Sequence, residues 1–159
     1  MGNVLTACGG AGLHTVVTYP NSDPGSVAII AEIETHAKAF KAVGTFPTVV
    51  RAFPSLGRTR YLHALKYADA LVGNSSSGLY EAPSLRVPVV NVGRRQEGRI
   101  KAANVVDAGY GYESISNTIR HYVVADYFRK MRLRETVNPY GDGHAAERIL
   151  ALIERRLGE

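Results

Sequence analysis

Apolar residues recur along this chain in two alternating rhythms, and the alternation predicts a fold before any one residue suggests a chemistry. Short β-branched runs at 14–19 (HTVVTY), 48–53, 70–73 and 88–92 read as strands, with a short fifth at 104–106. Between them the apolar positions space out to a helical period. Ile29, Ile30, Ile33, Ala37 and Phe40 share one face of a helix over 24–40, with Asp23 as its cap and Pro24 at its first position. Tyr61, Leu62, Leu65 and Ala68 mark the inward face of a second helix, and a third spans 76–85. Ile115, Ile119, Tyr122 and Val123 are the apolar positions of a fourth over 113–124, which continues as a basic helical piece over 125–133. A turn at 140–143 (YGDG) precedes a last amphipathic helix over 145–157, with Ala146, Ile149, Leu150, Ile153 and Leu157 expected to face inward. Residues 1–13, small and Gly-rich at their start, read as a frayed segment ahead of a domain over 14–159.

Apolar strands alternating with helices predict the α/β class: a Rossmann-like parallel sheet with helices on both faces. Such sheets bind ligands at the carboxyl ends of their strands. Asn21, Phe53 and Ser75 all fall at or just past strand ends and are expected to line one edge together. The sequence holds no internal repeat, low-complexity segment or heptad run.

Composition narrows the choices. A length of 159 residues suits one domain, and 19 Lys and Arg against 14 Asp and Glu leave a net charge of +5. That charge suits an anionic ligand, and equally an unspecialised basic surface. No aromatic–basic interleaving accompanies it, so nucleic acid is not the expected partner. Cys8 is the only cysteine, which rules out an intramolecular disulfide or a Cys-based zinc site and makes a reducing cytoplasm the default. The start, MGNVLTACGG, touches two acylation patterns but carries neither a basic nor an apolar leader region. No apolar run is long enough to cross a membrane. No residue set has metal-ligand spacing or the context of a Ser-His-Asp triad, and no cofactor is expected.

The candidate chemistry concentrates in residues 71–101. A predicted strand breaks at Gly73-Asn74 into Ser75, Ser76, Ser77 and Gly78, and a helix opens there. Such a turn aims N–H groups and hydroxyls at one point, which favours an anion, phosphate above all. Ser77 and Glu81 are one helical turn apart and share a face. A carboxylate beside a phosphate would be repelled by it, but it can accept hydrogen bonds from a neutral diol such as ribose. The plain alternative is an N-cap in a serine-rich turn. Arg94 reads as a solvated neighbour, Arg99 as a secondary phosphate candidate, and the 129–134 basic run as a solvated helix face. His36, His63 and His121 read as surface or packing residues, and His144 is unassigned. Asp142 is a secondary candidate whose alternative is a helix cap and turn.

Four segments carry a resemblance. YPNSDPGS, GNSSSGLYEA, PVVNVGRRQEGR and YGDGHAAERIL match, in order, the C-terminal half of the hydrolysing UDP-N-acetylglucosamine 2-epimerases of sialic-acid and related nonulosonic-acid pathways, over about residues 14–150. The resemblance implies the C-terminal domain of a glycosyltransferase-B architecture, with 14–159 as the UDP-binding domain and the N-terminal half absent. It implies that Ser75 and Ser76 hold the diphosphate, Arg95 pairs with phosphate, Glu81 takes the ribose hydroxyls, Asn21 reaches the nucleotide and the Phe53 backbone meets uracil. Ser77 and Gly78 are secondary positions of the same turn. The implied partners are a UDP-sugar and either the missing half or a second copy. The acid and base residues stay unknown, and the fragment alone is expected to be inactive. A sugar transferase's nucleotide half and a non-catalytic nucleotide-binding protein are the alternatives.

Overall fold

The computed structural model describes residues 1–22, 24–43, 48–125 and 133–158, with the side chains of 40–43 left aside. In chain order the elements are α1 (Gly2–Gly10), β1 (Thr15–Thr18), α2 (Ser26–Val43), β2 (Val50–Phe53), α3 (Gly57–Tyr67) and β3 (Leu71–Gly73). Then come α4 (Ser77–Tyr80), α5 (Ala82–Leu85), β4 (Val89–Val92), β5 (Val105–Ala108) and α6 (Tyr112–Thr118). A π-helical turn (Ile119–Val124) prolongs α6, and α7 (Ala145–Leu157) follows. The expected cap at Asp23, the boundaries at Gly44 and Pro47, the packing of Phe40 and most of the basic 125–133 helix lie outside the described residues.

The α/β class holds: all pairings are parallel and helices flank the strands. Among the described residues the strands nevertheless form two sheets where one was expected, a pair β1-β2 and a triplet β3-β4-β5. The triplet carries most of the core. Every residue of β4 is buried, and its side chains alternate between two clusters. Val89 joins Leu65, Leu79, Ala82, Val87 and Val105 under α3, α4 and α5. Val90 and Val92 join Ala7, Cys8, Ala108, Ile115, Ile119, Tyr122 and Val123 under α1, α6 and the π-helical turn. A third, smaller cluster of Leu5, Val17 and Ile33 serves the pair β1-β2.

Four expectations need correction. The segment read as frayed is helix α1, with Leu5, Ala7, Cys8 and Gly9 buried. Its small residues are what let it sit close: a Cβ at Gly2 would lie 2.6 Å from Glu32 Oε1, whose carboxylate accepts the Gly2 N–H. Conversely, α7 has no buried residue, and Ile149, Leu150, Ile153 and Leu157 are exposed. On α3 only Leu65 is buried, with Tyr61, Leu62 and Ala68 half-buried. The fifth strand also runs further than its apolar residues suggest. Asp107 can occupy it because Lys101 Nζ (2.7 and 2.8 Å) and Asn91 Nδ2 (2.7 Å) donate to its carboxylate.

Candidate functional site

Three segments distant in sequence meet beyond the carboxyl ends of β3 and β4. The first begins at Gly73, whose φ of +148 is open to glycine alone, so the strand can turn at once into Asn74, Ser75 and Ser76. Ser75 Oγ accepts the Ser77 N–H at 3.3 Å. Ser75 O takes the N–H of Gly78, and Ser76 O those of Leu79 and Tyr80. Ser75 is exposed and Ser76 half-buried. Gly78 is buried: a Cβ there would lie 2.8 Å from Val89 Cγ1, so its absence lets the turn rest directly on β4.

Ser77 points into the protein, where its Oγ accepts the Tyr61 hydroxyl at 2.7 Å. Burial pushes the Tyr61 pKa up, the Ser77 bond works against this, and the Glu81 carboxylate adds to the rise. Glu81 is exposed, and its N–H donates to Ser77 O at 3.0 Å, as the four-residue spacing requires. The helix expected over 76–85 is interrupted at Glu81, leaving α4 and α5 with four residues each. Pro83 explains the interruption, since it has no N–H to continue the ladder. So short a turn aligns few peptide dipoles, and attraction for an anion therefore rests on amide donors, hydroxyls and arginines.

The second segment is the turn after β4. Gly93 has φ +78, and the Tyr110 ring stands 2.1 Å from where its Cβ would be. Tyr110 also accepts the Arg94 N–H at 3.0 Å, while Arg94 Nε pairs with Glu97 at 2.8 Å in an exposed ion pair. Arg95 reaches across to the serine turn, with Nη1 3.5 Å from Asn74 O. Gln96 is the tie between the two turns. It is 1% exposed, donates Nε2–H to Asn74 O at 2.7 Å, and accepts Arg99 Nη1 at 3.0 Å. Arg99 in turn lies 6.0 Å from the Tyr80 ring centre. Sequence reasoning passed over Gln96, because a glutamine among charged residues reads as a surface position.

The third segment is 138–142. Asn138 Nδ2 donates to Tyr80 O (2.9 Å) and Ser84 Oγ (2.7 Å), and Tyr140 packs edge-on to Tyr80 at 4.5 Å. Its hydroxyl donates to Ile100 O at 3.1 Å. Asp142 pairs with Arg148 (3.0 and 2.5 Å) and accepts the His144 N–H, and these bonds hold its carboxyl below the ordinary range. Its charge thus serves the start of α7. His144 Nδ1 lies 2.5 Å from Glu147.

The triplet sheet therefore gathers Ser75, Ser76, Ser77, Gly78, Glu81, Arg95 and Arg99, with the 138–142 turn fastened beside them. Asn21 and Phe53 belong to the other sheet. Asn21 is exposed beyond β1, and Phe53 closes β2 with its carbonyl accepting the Tyr19 N–H at 3.1 Å. The serine turn lies on open surface. Among the described residues, the apolar face of α7 (Ile149, Leu152, Ile153 and Leu157) and a shallow hollow between α2 and β2 both lie elsewhere. Chemically, the cluster offers amides, hydroxyls and guanidinium groups to anionic oxygens, with one carboxylate, Glu81, set to the side.

Residues 1–154 match the family model described as UDP-N-acetylglucosamine 2-epimerase. A UDP-N,N'-diacetylbacillosamine 2-epimerase (hydrolyzing) of Legionella pneumophila is 32% identical over 96% of this chain and 37% of its own length. A UDP-N-acetylglucosamine 2-epimerase of Neisseria meningitidis is 33% identical over 69% of the chain and 27% of its own length. A GDP/UDP-N,N'-diacetylbacillosamine 2-epimerase (hydrolyzing) of Campylobacter jejuni is 43% identical over 36% of the chain and 15% of its own length. The chain thus spans well under half the length of these relatives.

Proposed function

Since the chain belongs to the UDP-N-acetylglucosamine 2-epimerase family, we propose that it is the UDP-binding portion of a hydrolysing UDP-sugar 2-epimerase. Ser75 and Ser76 hold the diphosphate, Arg95 neutralises it with Arg99 in support, and Glu81 accepts the two ribose hydroxyls. Asn21 and the Phe53 backbone approach the nucleotide from the other sheet. The observation that carries this reading is the joining of the serine turn to the arginine turn through Asn74 O, which both Arg95 and Gln96 contact.

In the complete enzyme the C2 proton is removed, the C1–O bond breaks and UDP leaves with the bonding pair. Water then adds to the resulting glucal, giving N-acetylmannosamine from UDP-N-acetylglucosamine. The role of Ser75, Ser76 and Arg95 is to stabilise charge as it develops on the leaving diphosphate. The base at C2 is not assigned to this chain, and the chain alone is inactive. Polypeptide from the remaining part of the enzyme, or a second copy, covers the exposed face of α7. The setting is the cytoplasm, in a pathway of the sialic-acid type.

The test is calorimetric titration of the chain with UDP, UDP-N-acetylglucosamine, UDP-N,N'-diacetylbacillosamine and dTDP. UDP should bind. Arg95→Ala should weaken it by about 1.5–3 kcal/mol, the worth of a hydrogen bond to a charged group, and Arg94→Ala by much less. No heat with UDP, or equal losses in the two variants, contradicts the reading. Release of N-acetylmannosamine by the pure chain contradicts its inactivity.

A further inference from the structure

Asn138-Pro139-Tyr140-Gly141 has, at each end and at its second place, a residue that a reverse turn favours: asparagine first, proline second and glycine last. The turn forms. The Gly141 N–H donates to Asn138 O at 3.4 Å, and Asn138 Oδ1 accepts the Tyr140 N–H at 2.9 Å. It is also anchored outside itself, because the Tyr140 ring packs edge-on to Tyr80 and its hydroxyl donates to Ile100 O at 3.1 Å. These contacts bring the Asn138 amide against the break between α4 and α5.

The helical ladder lapses at Glu81, and there the Tyr80 carbonyl takes a donor from a distant part of the chain. Asn138 Nδ2 donates to Tyr80 O at 2.9 Å and to Ser84 Oγ at 2.7 Å, so one nitrogen holds a residue on each side of Glu81. The partners fix the orientation of the amide. A carbonyl only accepts and a backbone N–H only donates, so the nitrogen must face Tyr80 and the oxygen Tyr140. An ionised aspartate of the same shape would keep the bond to Tyr140 but has no hydrogen for Tyr80 O. Two helical turns of four residues each have little stiffness of their own. The angle between them, which sets the direction of the Glu81 side chain, therefore depends on what spans the break. We propose that Asn138 is the positioning residue for Glu81: by joining Tyr80 to Ser84 it fixes the kink that aims the carboxylate at the ribose of a bound nucleotide. This rests on the nucleotide reading and deepens it, since selection for ribose then depends on a turn far along the chain. The phosphate donors do not depend on Asn138. Ser75 and Ser76 precede α4, and Arg95 stands on the turn that Gln96 ties to Asn74.

The test is calorimetric titration of wild type, Asn138→Asp and Asn138→Ala with UDP and dUDP, beside hydrogen–deuterium exchange of the same proteins without nucleotide. Wild type should prefer UDP roughly tenfold or more, and both variants should bring that ratio below about threefold. In Asn138→Ala the loss should come from weaker UDP binding, with dUDP changed little. A merely structural role would weaken both nucleotides together and keep the ratio. Without nucleotide, the Leu85 amide, which donates to Glu81 O at 3.3 Å, should exchange at least about fivefold faster in both variants. The Gly93 amide, bonded to Ala108 O just past β4, should keep its rate. If wild type prefers UDP and the variants keep that preference, or if Leu85 exchange is unchanged, the inference fails and the nucleotide reading stands. If wild type binds the two nucleotides alike, or neither, the ribose assignment of Glu81 fails and the inference with it.

Discussion

Helices α1 and α7 exchange the places that their sequences suggest. GNVLTACGG has little amphipathic contrast, yet four of its nine residues are buried. The α7 sequence is strongly two-sided, yet none of its residues is buried. Amphipathicity states which face of a helix favours burial, but it does not say whether the covering surface lies in the same chain. Smallness carries a different message: glycine and alanine let a helix approach its neighbours closely, and the approach itself makes the burial. A Cβ at Gly10 would stand 3.3 Å from the Tyr112 hydroxyl on α6, about as near as two packed elements can come.

The sharpest way to break this contrast is to truncate one apolar side chain on each helix. Leu5→Ala removes a side chain that is 1% exposed and should lower unfolding free energy by about 2–5 kcal/mol. Ile149→Ala, at a position 57% exposed, should stay within about 0.5 kcal/mol. Urea denaturation measures both, and similar losses would mean that α7 is covered by this chain after all.

Cys8 adds a pH-dependent contrast. Burial pushes its thiol up to about 11, with a weaker opposing hydrogen bond from Thr15. A folded pKa above the unfolded one means that the contribution is complete below the unfolded value near 9 and disappears as pH rises through 11. Its size is roughly 2–3 kcal/mol. Between pH 8 and 11 the urea midpoint of wild type should therefore fall by more than that of Cys8→Ala, which has no thiol to ionise. No change in their separation would mean that the thiol is reached by solvent.

The smallest effect on stability should come with a clear effect on association. A double substitution, Ile149→Ser with Ile153→Ser, should leave the urea midpoint almost where it was. It should also abolish the self-association that an exposed apolar stripe favours. Light scattering at high concentration decides this, and a wild-type chain that is strictly monomeric would count against the stripe as an interface.

The strands were the most legible part of the sequence. In β4, Val89, Val90 and Val92 read as an apolar run because a central parallel strand is buried on both faces, and Asn91 fits among them by donating to Asp107. The division of the strands into two sheets was not legible, since periodicity reports a strand's faces and not its neighbours. At the site, serines and arginines were visible because charge and hydroxyls are properties of single residues. The ties at Gln96, Tyr110 and Asn138 were not, because each joins turns that only the fold brings together. The break at Glu81 could have been foreseen from Pro83, which removes a donor two residues later.

Dissociation constants for UDP and dUDP, on wild type and on Glu81→Gln, test the nucleotide assignment most directly. An ionised carboxylate accepts from both ribose hydroxyls, so loss of the 2′-hydroxyl should remove one charge-assisted bond, about 1.5–3 kcal/mol. Wild type should therefore prefer UDP roughly ten- to a hundredfold, and Glu81→Gln should largely erase that preference. A UDP-to-dUDP ratio that is the same in both proteins would contradict Glu81 as the ribose ligand, and with it the placing of the nucleotide on this turn.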